Sequence, residues 1–213
     1  MKKFILPLLV LLFVGSLFAV ESDPSEVVGY VKYDLVAGDN TIALPMDQGF
    51  AWASELGDLL EAASVGYFDS ATQLWTLINA FPWGGWDGDF ALTNGQALWV
   101  NIGVGATFYS IGELPVSNPS YSLVAGDNMI MLPLNKSDLN FASLVGDDIG
   151  ASSVGYFDSA TQLWTLINAF PWGGWDSDFA ASIGNPLWIN TTGASVWPAR
   201  ASSTASPITG KKN

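Results

Sequence analysis

Residues 64–87 of this 213-residue chain, SVGYFDSATQLWTLINAFPWGGWD, occur again without one difference at residues 153–176. Upstream, the hexapeptide Leu-Val-Ala-Gly-Asp-Asn at 35–40 returns at 123–128. The offset is 89 residues for the long block and 88 for the short one, so one length change separates the copies. Whatever fold one copy adopts, the other must adopt as well. Propellers and solenoids need several repeats of roughly 20–50 residues, and two copies at this spacing do not supply them. A unit of about 85 residues is above the ~40-residue size below which staples become necessary, so each copy has the length to fold as a module. The flanks of the identical block have diverged. That contrast fits either functional constraint on the block or a local gene-conversion tract.

Each copy reads as six short strands and one helix. Residues 31–36 and 41–46 flank a turn at 37–40, where Gly38 and Asn40 suit positive φ, and the pair reads as a hairpin. Residues 121–124 and 129–134 repeat the pattern. Phe50, Ala53, Leu56, Leu60 and Ala63 recur at helical steps, with a counterpart at 139–149 and Ser137 as its expected N-cap. A second hairpin joins 65–68 to 74–78, and a Gly- and Trp-rich loop follows at 79–90. A third joins 97–102 to 107–111 and, in the second copy, 186–190 to 194–197. The expected fold class is mainly β, as two tandem homologous modules of about six short strands plus one short helix each, at 27–115 and 121–198. Two β domains in series are the preferred arrangement. The alternative is one pseudo-twofold domain whose halves share a sheet.

The first residues read as a secretory signal peptide, 1–19: Lys2 and Lys3, an apolar run from Phe4 to Val14, then small residues. That run is shorter than the ~20 residues of a membrane span. The mature chain is expected to carry no membrane span and to be secreted, whether extracellular, periplasmic or at a cell surface. The tail at 199–213 lacks apolar periodicity and is expected to be disordered. Formal net charge is −13, with 20 acidic residues against 7 basic ones. A nucleic-acid partner requires clustered Lys and Arg, so none is expected. The chain has no histidine and no cysteine. This excludes His-based triads, thiol nucleophiles, disulfides and thiolate metal sites. No catalytic residue, metal ligand or cofactor is assigned, and the chain is not expected to be an enzyme.

The stretch Tyr67-Phe-Asp-Ser-Ala-Thr-Gln-Leu-Trp75 resembles the strand–turn–strand segment of kelch repeats, as local hairpin chemistry only. A broader likeness covers nearly the whole of each copy. Gly38-Asp-Asn-Thr-Ile-Ala-Leu-Pro45, the Asp69 to Trp75 hairpin and Asn94-Gly-Gln-Ala-Leu-Trp-Val100 resemble a β-rich tandem repeat of bacterial secreted and cell-surface proteins. The chain departs from that pattern at Ala97, where the repeat prefers glycine. The resemblance implies a secreted β module and no particular activity.

The most distinctive segment is Phe81-Pro-Trp-Gly-Gly-Trp-Asp87, repeated as Phe170-Pro-Trp-Gly-Gly-Trp-Asp176. Two tryptophans separated by Gly-Gly do not fit one regular strand. Trp on such a loop suits a docking knob or a sugar-stacking platform, and it equally suits an indole folded back to seal its own module. The candidate ligand-binding residues are Trp83, Trp86, Asp87, Trp172, Trp175 and Asp176. Asp87 with Asp89, and Asp176 with Asp178, form carboxylate pairs that are a weak calcium signal beside the reading of a solvated acidic turn. The expected function is a non-enzymatic structural or adhesive surface protein. It would act through aromatic loops on a protein partner or by self-association, with carbohydrate binding as the alternative.

Overall fold

The computed structural model describes residues 28–115 and 117–198. The expected signal peptide and the expected disordered tail lie outside the described residues. The first module contains β1 (Val28–Leu35), β2 (Gly38–Ala43), α1 (Ala53–Leu60), β3 (Ala62–Asp69), β4 (Leu74–Asn79), β5 (Ala97–Ile102) and β6 (Ala106–Glu113). The second contains β7 (Tyr121–Leu123), β8 (Gly126–Met131), α2 (Ala142–Ile149), β9 (Ala151–Asp158), β10 (Leu163–Asn168), β11 (Pro186–Thr191) and β12 (Ser195–Trp197). The protein is mainly β, and the described residues form six strands and one helix in each copy. All strand pairs are antiparallel, and every sheet draws its strands from one copy only.

The pairing differs from the sequence expectation at two of the three hairpins. β1 pairs with β6 and β2 pairs with β5, so residues 31–46 do not form a hairpin, and neither do 97–111. The second module repeats this, with β7 on β12 and β8 on β11. Among the described residues, only β3–β4 and β9–β10 are true hairpins. The segments read as turns are corners, at which one long antiparallel ribbon bends between two sheets. Leu35 faces Ala106 and Gly38 faces Ile102, so two residues on one strand oppose residues 103–105 on the other. Such an extra residue bends a ribbon and increases its twist. Asn40 fixes the corner. Its fully buried side chain accepts from Val36 N at 2.9 Å and donates to the carbonyls of Val36 and Gly38. Asn128 makes the same three bonds in the second copy. The amide thus takes backbone bonds that a hairpin partner would otherwise supply.

Each module's core lies between its four-stranded sheet, its helix and its two-stranded ribbon. Ile42, Leu56, Val65, Leu98, Val100 and Ile102 are at most 1% exposed in the first, and Ile130, Leu132, Val145, Val154 and Ile189 match them in the second. Each such side chain contributes about 1.5–3 kcal/mol on burial. The helices begin later than periodicity suggests. α2 starts after Phe141, so Ser137 does not cap it.

The other face of each four-stranded sheet meets its counterpart. Phe68, Trp75 and Trp99 lie on one sheet, and Phe157, Trp164 and Trp188 on the other. Phe68 tilts on Trp188 at 4.6 Å, and Trp99 on Phe157 at the same distance. Trp75 stacks with Trp188 and Trp99 with Trp164 at 6.2 and 6.3 Å. Asp39 accepts from Trp99 Nε1 and Asn101 Nδ2, holding that indole in place, and Asp127 does the same for Trp188 and Asn190. Reciprocal glutamines lock the edges. Gln162 Oε1 accepts from Asp39 N at 2.9 Å while its Nε2 donates to Asp39 O at 2.8 Å. Gln73 grips Asp127 in the same way. Gly38, at φ +105°, has no side chain to obstruct the approach of Gln162. The halves are therefore related by a pseudo-twofold and meet face to face, without a shared sheet.

Candidate functional site

The two Gly-Gly loops are built identically. In the first, Asn79 at the end of β4 is clasped by Asp87: Asp87 Oδ1 accepts from Asn79 N at 2.7 Å and Oδ2 from Asn79 Nδ2 at 2.8 Å. Asp87 N donates back to Asn79 O at 3.0 Å. Inside the clasp Phe81 N donates to Gly85 O, and Gly84 N to Phe81 O. Gly84 and Gly85 sit at φ +95° and +84°, a left-handed pair that only glycine adopts at no steric cost. Asn168 and Asp176 form the same clasp in the second module. The clasp bonds from Asn79 hold the Asp87 carboxyl below its usual range, and those from Asn168 do the same for Asp176.

This frame sends the two tryptophans of each loop in opposite senses. Trp86 turns back. Its indole presses on the helix at Gly57, where a Cβ would overlap the ring, and its Nε1 donates to Asp58 at 2.9 Å. Trp175 packs on Gly146 and donates to Asp147 at 3.0 Å. Trp83 turns outward. It is 81% exposed, as is Trp172. Each outward indole is stacked on a phenylalanine two residues earlier, Trp83 on Phe81 and Trp172 on Phe170, with ring centroids 5.1 Å apart and planes 9° from parallel.

The six candidate residues therefore divide by role. Trp83 and Trp172 face solvent on a braced aromatic stack. Trp86 and Trp175 seal their modules, and Asp87 and Asp176 spend their carboxylates on the loop frame. The neighbouring acids are also engaged. Asp89 accepts from Ser54 N and Ser54 Oγ at the start of α1, and Asp178 from Ser143 at the start of α2. Burial pushes these two carboxyls up, but the serine and backbone donors outweigh it and hold both below the usual range. Such caps satisfy helix N-terminal amides that have no partner within the helix. Among the described residues, no group of three or more acidic side chains is placed to hold a metal ion.

Sequence reasoning did not single out Phe81 and Phe170 as part of the platform. The signal was present as an aromatic two residues before Trp, joined by proline and returned by Gly-Gly. The aromatic inter-module face was also missed. Its signal is the both-sided apolar character of β3 and β5, where Phe68 and Trp99 alternate with the core residues Val65 and Val100. No protein-family model matches the chain, and neither a curated protein nor a solved structure does.

Proposed function

We propose that this chain is a non-enzymatic, secreted adhesive or structural protein that self-associates through its twin aromatic platforms. The observation that carries the reading is Trp83 and Trp172, each 81% exposed and each braced flat on a phenylalanine. An exposed indole on a rigid loop loses little conformational entropy on docking, and Trp is favoured at desolvated contact centres. Two identical platforms on one chain add avidity wherever both engage at once. Support for secretion is the leader pattern at 1–19. Support for a non-catalytic role is the absence of histidine and cysteine, together with the engagement of the loop carboxylates in the frame.

The test compares the full chain with the Trp83→Ala/Trp172→Ala double variant by negative-stain electron microscopy and sedimentation over a range of concentrations. Concentration-dependent assemblies in the parent, lost in the variant at unchanged melting temperature, are expected. Uniform small particles at every concentration, or assemblies that persist in the variant, overturn the reading. The flat Phe–Trp stack favours a second reading, carbohydrate binding, because a sugar ring presents a C–H face to an indole. In that case intrinsic Trp fluorescence responds to polysaccharide in the parent and not in the double variant.

A further inference from the structure

The pseudo-twofold creates two equivalent clefts where the modules meet, away from the aromatic platforms. In one, buried Tyr33 donates its hydroxyl to Gly184 O at 2.6 Å. In the other, Tyr121 donates to Gly95 O at 2.9 Å. Burial pushes both phenols well above their ordinary range, so both remain neutral donors. The clefts have diverged around this shared floor. The second, of about 310 Å³, has Ser120 and Met129 where the first has Lys32 and Thr41. Two polar groups on its rim bond to the protein itself: Gln96 Oε1 accepts from Thr93 N and Oγ1, and Ser120 donates to Pro198 O. Among the described residues, its free groups therefore reduce to the Tyr67 hydroxyl, the Asn94 amide and Gln96 Nε2, with no charged pair and no free threonine hydroxyl beside them.

The first cleft has about 460 Å³, within the roughly 300–1,000 Å³ usual for small-ligand sites. Tyr156 and Phe179 form an aromatic wall, with ring centroids 4.7 Å apart. Lys32 and Asp34 sit at the rim as an ion pair of 2.8 Å. Among the described residues, the hydroxyls of Thr41, Tyr156 and Ser159 and the amide of Asn185 have no hydrogen-bond partner in the protein. Hydroxyls and amides both donate and accept, which matches the mixed demands of sugar hydroxyls. An anionic ligand meets a chain of net charge −13 whose rim lysine is already paired, and a cationic ligand finds the rim carboxylate, Asp34, already engaged by Lys32 and Thr107. The aromatic wall takes an apolar C–H face.

We propose that this first cleft, and not its twin, binds a short neutral oligosaccharide. The site is independent of the Trp83 and Trp172 platforms. The test is an NMR titration of the ¹⁵N-labelled full chain with cellobiose, maltose, chitobiose and mannobiose in turn. Saturable shifts clustered at Lys32, Thr41, Tyr156 and Asn185 with at least one of them are expected. Asn185→Ala weakens that binding about five-fold, the effect of one neutral hydrogen bond. Trp83→Ala/Trp172→Ala leaves it intact, so failure here is distinct from failure of the platform reading. The proposal is overturned by an absence of shifts with all four sugars, by shifts confined to the aromatic loops, or by equal response in the two clefts.

Discussion

Replacing Gly57 with alanine tests whether Trp86 serves the fold or a ligand. In an ordinary helix interior this substitution stabilises by about 0.8–1.0 kcal/mol, because alanine has less backbone freedom to lose. Here the new Cβ overlaps the Trp86 indole. The ring must shift, which costs about 1–3 kcal/mol as overpacking, and its bond to Asp58 weakens, which costs about 0.5–1.5 kcal/mol more. These outweigh the propensity gain, so Gly57→Ala is expected to destabilise by about 1–3 kcal/mol. Trp86→Ala alone is expected to cost about 2–3 kcal/mol, below the ~3–5 of a core tryptophan because the ring is half-buried. In that background only the buried Val65 methyl, at 3.2 Å, remains close to the new Cβ, and Gly57→Ala should lose most of its cost, falling to within about 1 kcal/mol of neutral. Urea unfolding followed by far-UV circular dichroism measures all four corners of this cycle. Gly146→Ala with Trp175→Ala provides an independent repeat in the second module. If Gly57→Ala stabilises the chain while Trp86 is present, the indole is not packed on the helix, and Trp86 returns to the list of exposed ligand contacts.

Asn40→Ala should cost about 1–3 kcal/mol in urea unfolding, because Val36 N and O lose their partner at a buried corner; a neutral result would mean the corner is held by other groups. Gln162→Ala removes both bonds to Asp39 and should lower stability by about 1–2 kcal/mol. Amide exchange should then rise at Asp39 and Asp127 together if the modules open as one interface. Stability should be flat between pH 5 and 8, since the chain has no histidine. The carboxyls of Asp87, Asp89, Asp176 and Asp178 are depressed in the folded state. Their contribution is complete above the unfolded carboxyl range near ~4 and is lost as pH falls through the lower folded values. Melting temperature should therefore drop only below about pH 4, and less steeply in Asp87→Asn/Asp176→Asn. An equal slope in that variant would count against the clasp.

The duplication was fully legible in the sequence because identity needs no geometry to be read. It determined that two like modules exist. Strand and helix content followed from apolar periodicity, and every element of the first copy has its counterpart in the second. Pairing was a different matter. Leu35 and Ile42 on either side of Gly38 and Asn40 look the same whether the chain folds back or bends onward. Local residues specify a change of direction, and the partner strands lie some sixty to seventy residues away at Ile102 and Ala106. The same limit applied to the loops. Phe-Pro-Trp-Gly-Gly-Trp-Asp announces two unusual indoles, but one faces solvent and the other the helix. What decides this is the bare Cα of Gly57, with Asp58 beside it, nearly thirty residues upstream. The identical block also acquires a physical meaning only in three dimensions. Phe68, Gln73 and Trp75 meet the other module through the same contacts as Phe157, Gln162 and Trp164, and a self-complementary interface requires both copies to keep them. Sequence alone determined the parts and their number. Tertiary structure decided which faces are covered, because burial depends on what lies opposite a side chain and not on its neighbours along the chain.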